Sequence, residues 1–179
     1  MRRFIAFILI VIAAFCLLSG CGTDTGQAQQ YLKQGDQTMN EVSTQLGQLA
    51  GMLSTINTKV SNPAEMTATV KQIKEFDTEL TKKATAAKAE YEKINDLKGV
   101  PDYRKYAGFQ IKIADDIDKL MTQFNRFVDE LVNMVNSGNA TQEQASALQD
   151  SFQQQVSSLT DDISKLNQEA VKFKADKNL

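Results

Sequence analysis

Apolar residues recur at alternating steps of three and four in four separate stretches of this chain, and that spacing constrains the fold more than any other feature. In the first stretch Leu32, Gly35, Met39, Val42, Leu46, Leu49, Leu53, Ile56 and Val60 keep the pattern, and all but Gly35 are apolar. Positions three and four apart share one face of an α-helix, so the pattern predicts a long helix with a single buried stripe. The second stretch runs Met66, Val70, Ile73, Phe76, Leu80, Ala84, Ala87, Tyr91, Ile94, Leu97. The third runs Tyr103, Tyr106, Gln110, Ile113, Ile117, Leu120, Phe124, Phe127, Leu131, Met134, with Gln110 its one polar member. The fourth runs Ala145, Leu148, Phe152, Val156, Leu159, Ile163, Leu166, Ala170, Phe173.

Turn signals separate these stretches. Asn62 suits an N-cap, Pro63 the first helical position, and Glu65 stands three residues after the cap. Gly99 suits the residue just past a helix end, with Pro101 beyond it. Gly138 closes the third stretch, and Thr141 with Gln144 makes a capping-box pair for the fourth. Helices are therefore expected at about 26–61, 63–98, 101–137 and 141–175. At 1.5 Å per residue each is about 50 Å long. Links this short force neighbouring helices antiparallel, and one apolar stripe per helix closes one core. The expected fold class is all-α, an up-down-up-down antiparallel four-helix bundle. The alternative is two helical hairpins that complete their cores by dimerising, so the pattern leaves monomer or dimer open. Composition agrees with helix: the 179 residues include two prolines and no tryptophan, and 42% are hydrophobic.

The N-terminus has a different character. Arg2 and Arg3 precede "FIAFILIVIAAFCLL", Phe4 to Leu18, an unbroken apolar run. A basic start followed by such a run is the pattern of a secretory signal, and the run is shorter than the roughly 20 residues that a membrane-spanning helix needs. Leu18-Ser19-Gly20-Cys21 follows. An aliphatic residue, two small residues and a cysteine resemble the lipobox of bacterial lipoprotein precursors, a resemblance that covers residues 1–22 only. It implies that Cys21 is thioether-linked to diacylglycerol and that a signal peptidase cuts between Gly20 and Cys21. The mature chain would then begin at Cys21, held by its lipid on the extracytoplasmic side of the cell membrane. Two acyl chains hold a protein there stably where one does not. The expected organisation is a signal peptide at 1–20, a lipidated tether at 21–30 and the bundle at 31–179. That anchor would leave the turn at 98–106 and the C-terminus proximal to the membrane and the turns near Asn62 and Gly138 distal.

The body is poor in reactive side chains. Histidine is absent, and the two cysteines are Cys16 and Cys21, so no thiol follows residue 21. This removes the commonest general acid–base group, the commonest metal ligand and the thiolate nucleophile. No catalytic residue, metal ligand set or cofactor is expected, and the chain is not expected to be an enzyme. A formal net charge of -2 with no basic block argues against a nucleic-acid partner. Asp115, Asp116 and Asp118 flank Ile117, and Asp161 and Asp162 precede Ile163. Adjacent helix positions point about 100° apart, so these acids read as solvated neighbours of core residues. Gly47 and Gly51, in the polar stretch "GQLAG", read as a surface helix loosened by glycine.

One cluster is a candidate site. Small residues fall at matched proximal heights on three helices, at Gly35, Ala84, Ala87 and Ala170. The third helix has Tyr103, Tyr106, Phe109 and Gln110 at that height. Either the aromatic rings fill the space, as interdigitating cores do, or a small-ligand pocket remains with tyrosine hydroxyls and Gln110 as polar contacts. Nearby Lys98, Arg104, Lys105, Lys172, Lys174 and Lys177 alternate with Asp96, Asp102, Glu169 and Asp176, which leaves weak net attraction to lipid headgroups. The expected function is that of a lipoprotein anchored to the membrane through Cys21. Its non-enzymatic bundle would act on an unidentified protein or cell-envelope partner. The alternative is extracytoplasmic small-ligand binding or sensing, similar in architecture to four-helix sensor domains.

Overall fold

The computed structural model describes residues 23–59, 63–137 and 141–179, without the side chains of 53–59, 63 and 64. The signal peptide, the cleavage site, Cys21, Asn62 and Gly138 lie outside the described residues. Four long helices follow in order: α1 Thr25–Lys59, α2 Pro63–Lys93, α3 Pro101–Asn136 and α4 Gln142–Lys177, with a 3₁₀ turn, Ile94–Asp96, after α2. They form an up-down-up-down antiparallel four-helix bundle. No helix among the described residues is long and apolar enough to cross a membrane.

The helix ends follow from local chemistry. α1 starts inside the stretch expected as tether, because Ala28 is fully buried and draws residues 25–30 into the helix. Asp24 fastens that start to the α2–α3 turn. Its N–H donates to the Lys98 carbonyl (3.0 Å), and the Lys98 N–H donates to Asp24 Oδ2 (2.7 Å). Gly99 in that turn has φ +72, and a Cβ there would lie 2.8 Å from Thr23 Cγ2. Glycine avoids both the strain and the clash. α4 opens with a full capping box. The Gln144 N–H donates to Thr141 Oγ1 (3.2 Å), and the Thr141 N–H donates to Gln144 Oε1 (3.1 Å).

α3 is the central helix, with thirteen buried residues against three in α4. In α3 Met121 and Val135 are buried, while Leu120 and Met134 are half-buried. A straight α-helix drifts by about 20° per heptad against a strict 3.5-residue repeat, so the buried line slides by one residue over this length. The distal core packs Met66, Ile73, Leu80, Phe124 and Leu131 together. Phe152 closes it, with ring centres 6.0 Å from Phe124 and 4.9 Å from Phe127. The proximal core holds Leu32, Tyr91, Ile94, Tyr103, Tyr106 and Ala170.

One seam of the bundle stays open. α1 packs along α2, α2 along α3 and α3 along α4, but α1 and α4 barely touch. The facing residues explain why. α1 presents Met39 and Leu46 alternating with Ser43 and Ala50, and α4 presents Val156 and Ile163 alternating with Thr160 and Asn167. Small or polar groups at alternate turns leave no complete ridge to interdigitate.

Gly47 lies exposed on α1, with nothing within 4 Å of where its Cβ would stand. Gly47→Ala is expected to raise stability by roughly 1 kcal/mol, read as a higher urea midpoint at unchanged slope.

Candidate functional site

The matched small and large residues at the proximal end build a polar hub. Gly35 is the reason it can form. A Cβ on Gly35 would lie 2.6 Å from Tyr91 Cε1, so the bare backbone of α1 receives the ring of α2. That approach brings the Tyr91 hydroxyl to the next residue, Asp36. Tyr91 Oη donates to Asp36 Oδ1 (2.7 Å), and Tyr106 Oη of α3 donates to the same oxygen (3.0 Å). Gln110 Nε2 donates to Tyr106 Oη (3.0 Å). Lys174 Nζ of α4 pairs with Asp36 Oδ2 and sits 5.4 Å from the centre of the Tyr106 ring. One carboxylate of α1 therefore gathers a donor from each of the other three helices.

The electrostatics suit a structural tie. Burial, then the negative charge of Asp36 and the hydrogen bond to it, push the Tyr91 and Tyr106 hydroxyls well above their ordinary value, while donation from Gln110 pulls Tyr106 partly back. Both tyrosines are held as neutral donors. A group whose value is raised on folding keeps its full contribution below the unfolded value and loses it above. For these two the contribution is present below about pH 10, the ordinary tyrosine value.

The space opposite Gly35 is thus filled, by Tyr91 of α2, and is not an open hollow at that point. Tyr103 is buried in the proximal core. Phe109 packs edge-on against Phe173 (5.9 Å between centres), under the ammonium of Lys105, 4.9 Å from the Phe173 ring. Gln110 alone among the five candidate residues also borders the open seam. Sequence reasoning missed Asp36, missed Tyr91 as its partner, and put Lys174 on the proximal surface. The available signal was Gly35 itself, the one non-apolar member of its stripe, with an acid directly after it.

Two other proximal cations are also engaged within the fold. Lys177 pairs with Asp102 (3.3 Å), and Arg104 Nη2 donates to the Leu97 carbonyl (2.6 Å). Asp115 accepts from Lys88 (2.6 Å) and Asp116 from Lys119 (2.7 Å), so neither is a free ligand. Among the described residues no group of three or more His, Cys, Asp or Glu side chains could hold a metal ion.

No protein-family model, curated protein or solved structure matches the chain.

Two further features interrupt the regular core. The first is Asp77 of α2, 6% exposed in the distal half. Asn125 Nδ2 donates to its Oδ2 (2.8 Å), while its buried Oδ1 has no hydrogen-bond partner among the described residues. Burial raises its carboxyl above the ordinary 3.8, and Asp118 nearby adds to this against the opposing effect of Asn125. The folded state then binds a proton that the unfolded state has released, so stability falls as pH rises from about 4 through the raised value. Asp77→Asn is expected to stabilise the bundle at neutral pH by about 1 kcal/mol and to flatten that slope, as read by urea titrations across the acid range.

The second is the open seam. Between α1 and α4, over the face of α3, lie two adjoining hollows of ≈ 300 Å³ and ≈ 190 Å³. The larger is at the low end of the usual range for ligand pockets, roughly 300–1,000 Å³.

Proposed function

We propose that this chain is a lipid-anchored, non-enzymatic helical bundle, held on the extracytoplasmic side of the cell membrane and acting by contact with a protein or envelope partner. The observation that carries the reading is Leu18-Ser19-Gly20-Cys21 at the end of the apolar run from Phe4. The fastening of Asp24 to the α2–α3 turn supports it. Three residue steps separate Asp24 from Cys21, at most about 11 Å of chain. A lipid on Cys21 would hold the α2–α3 turn and the C-terminal end of α4 against the membrane surface. The distal turns would reach about 50 Å away, the length of the helices. Among the described residues Val171 is the only large apolar side chain that stands exposed, at 61%, so a partner on the outer helix faces meets charges and amides. Metabolic labelling with a clickable fatty acid tests the anchor: label is expected on the native chain and none on Cys21→Ala, and an unlabelled native chain would refute it.

A second reading is a small-ligand-binding bundle. The open seam between α1 and α4 is the observation that favours it.

A further inference from the structure

We propose that the slot between α1 and α4 binds a single-chain amphiphile, an alkyl chain with an uncharged polar head. The proposal rests on the ligand-binding reading and names the ligand class. Three observations carry it.

The first is continuity. Leu46, Thr160 and Ile163 line both hollows, so the two make one slot. Its floor on α3 runs from Gln110 to Phe124. Fourteen residue steps at 1.5 Å give a slot about 21 Å long. A compact solute fills a fraction of such a shape, and an extended chain fills its length.

The second is the gradient of its lining. The end next to the Asp36 hub offers Ser43, Gln110, Ser164 and Asn167. The opposite end offers Leu49, Phe124, Phe152 and Val156. No Asp, Glu, Lys or Arg lines either hollow. Hydroxyl and amide groups can bind an uncharged head such as a glycerol ester, while the apolar end lacks the two to four polar partners that an ordered water needs. A charged head would meet no counter-charge in the lining.

The third is what surrounds the slot. A second copy closing the seam would need an apolar margin outside it, because stable interfaces have a buried apolar core on each partner. Among the described residues the sole exposed large apolar side chain is Val171, which lines neither hollow. The apolar groups that α1, α3 and α4 turn toward the seam lie within a recess, the shape of a ligand site.

The test uses the full chain in membrane vesicles with two photoreactive monoacylglycerols. One carries a diazirine at the end of its chain and the other beside its glycerol head. The terminal probe is expected to crosslink to peptides containing Phe124 and Phe152, and the head probe to those containing Ser43 and Ser164. Thr160 is an exposed rim residue where the hollows meet. Thr160→Trp should therefore leave the thermal melt unchanged and cut both labels at least tenfold. Ala50→Trp, exposed on the opposite rim, should do the same. Unlabelled monoacylglycerol added to the vesicles at rising mole fraction should displace both labels. Crosslinks spread over the outer faces and indifferent to both tryptophans would overturn the proposal. So would a dimer crosslinked through the seam. Thermal shifts with compact polar solutes and no slot labelling would overturn the alkyl ligand and leave the ligand-binding reading standing. No labelling and no shift with any solute would remove both.

Discussion

Asp36→Ala is expected to destabilise the bundle by about 2–4 kcal/mol, chiefly the cost of leaving two buried tyrosine hydroxyls without their acceptor. The change strips the acceptor from Tyr91, Tyr106 and Lys174 at once. Tyr91 is fully buried and Tyr106 is 4% exposed, so neither hydroxyl can turn to water in place. Domains of this size are stable by about 5–15 kcal/mol, so the loss is a large part of the total. At about 2–4 °C per kcal/mol the melting temperature should fall by roughly 10 °C. Tyr91→Phe should cost about 1 kcal/mol, since it removes one hydrogen bond and leaves Asp36 two donors. The two changes share a contact and should be less than additive when combined. Above about pH 10 the native chain should lose part of its advantage over Asp36→Ala, because the tyrosine contribution is lost there. A destabilisation below about 1 kcal/mol, within the range of an exposed ion pair, would mean that the hub holds nothing together.

Cys21→Ala is expected to abolish lipid labelling altogether and to leave the unprocessed chain. Thioether formation needs a sulfur nucleophile, and alanine offers none. No other cysteine follows residue 21, so no neighbouring residue can substitute. Cys16→Ala should change nothing, because its side chain sits in the apolar run as a small hydrophobe. Label that survives in Cys21→Ala and vanishes in Cys16→Ala would move the anchor to residue 16. Mature-sized protein from Cys21→Ala would separate cleavage from acylation and remove the link between the two.

Four helices, Pro63 as the first residue of α2 and the Thr141–Gln144 capping box were all legible from residue spacing, because each depends on neighbours within one turn. Gly99 was expected directly past a helix running to 98, but α2 ends at Lys93, its 3₁₀ turn at Asp96, and Leu97 is extended. The open seam was not. The apolar stripe of α4 has Phe152, Leu159, Ile163 and Leu166 in register, yet all four are half-buried. A stripe states which face is apolar, whereas closure depends on whether two facing ridges fill each other's gaps, as Ser43, Ala50, Thr160 and Asn167 do not. The first helix, expected from about residue 26, starts at Thr25, inside the stretch also expected as tether. "GTDTGQAQQ" is locally weak helix, and Asp24 is fixed by a turn 74 residues away. Asp36 was hidden because an acid beside an apolar stripe ordinarily faces solvent. Its role needs the relative heights of Tyr91, Tyr106 and Lys174, which come from the turn lengths and the tertiary register. Gly35 was legible as the point of close approach, but not which ring would approach it.

The most direct measurement is the mass of the N-terminal peptide of the protein extracted from its native membrane. The expected peptide begins at Cys21 and carries a diacylglyceryl group on its sulfur. A peptide beginning at Met1, or one beginning at Cys21 with a free thiol, would contradict the lipid anchor and with it the orientation of the bundle.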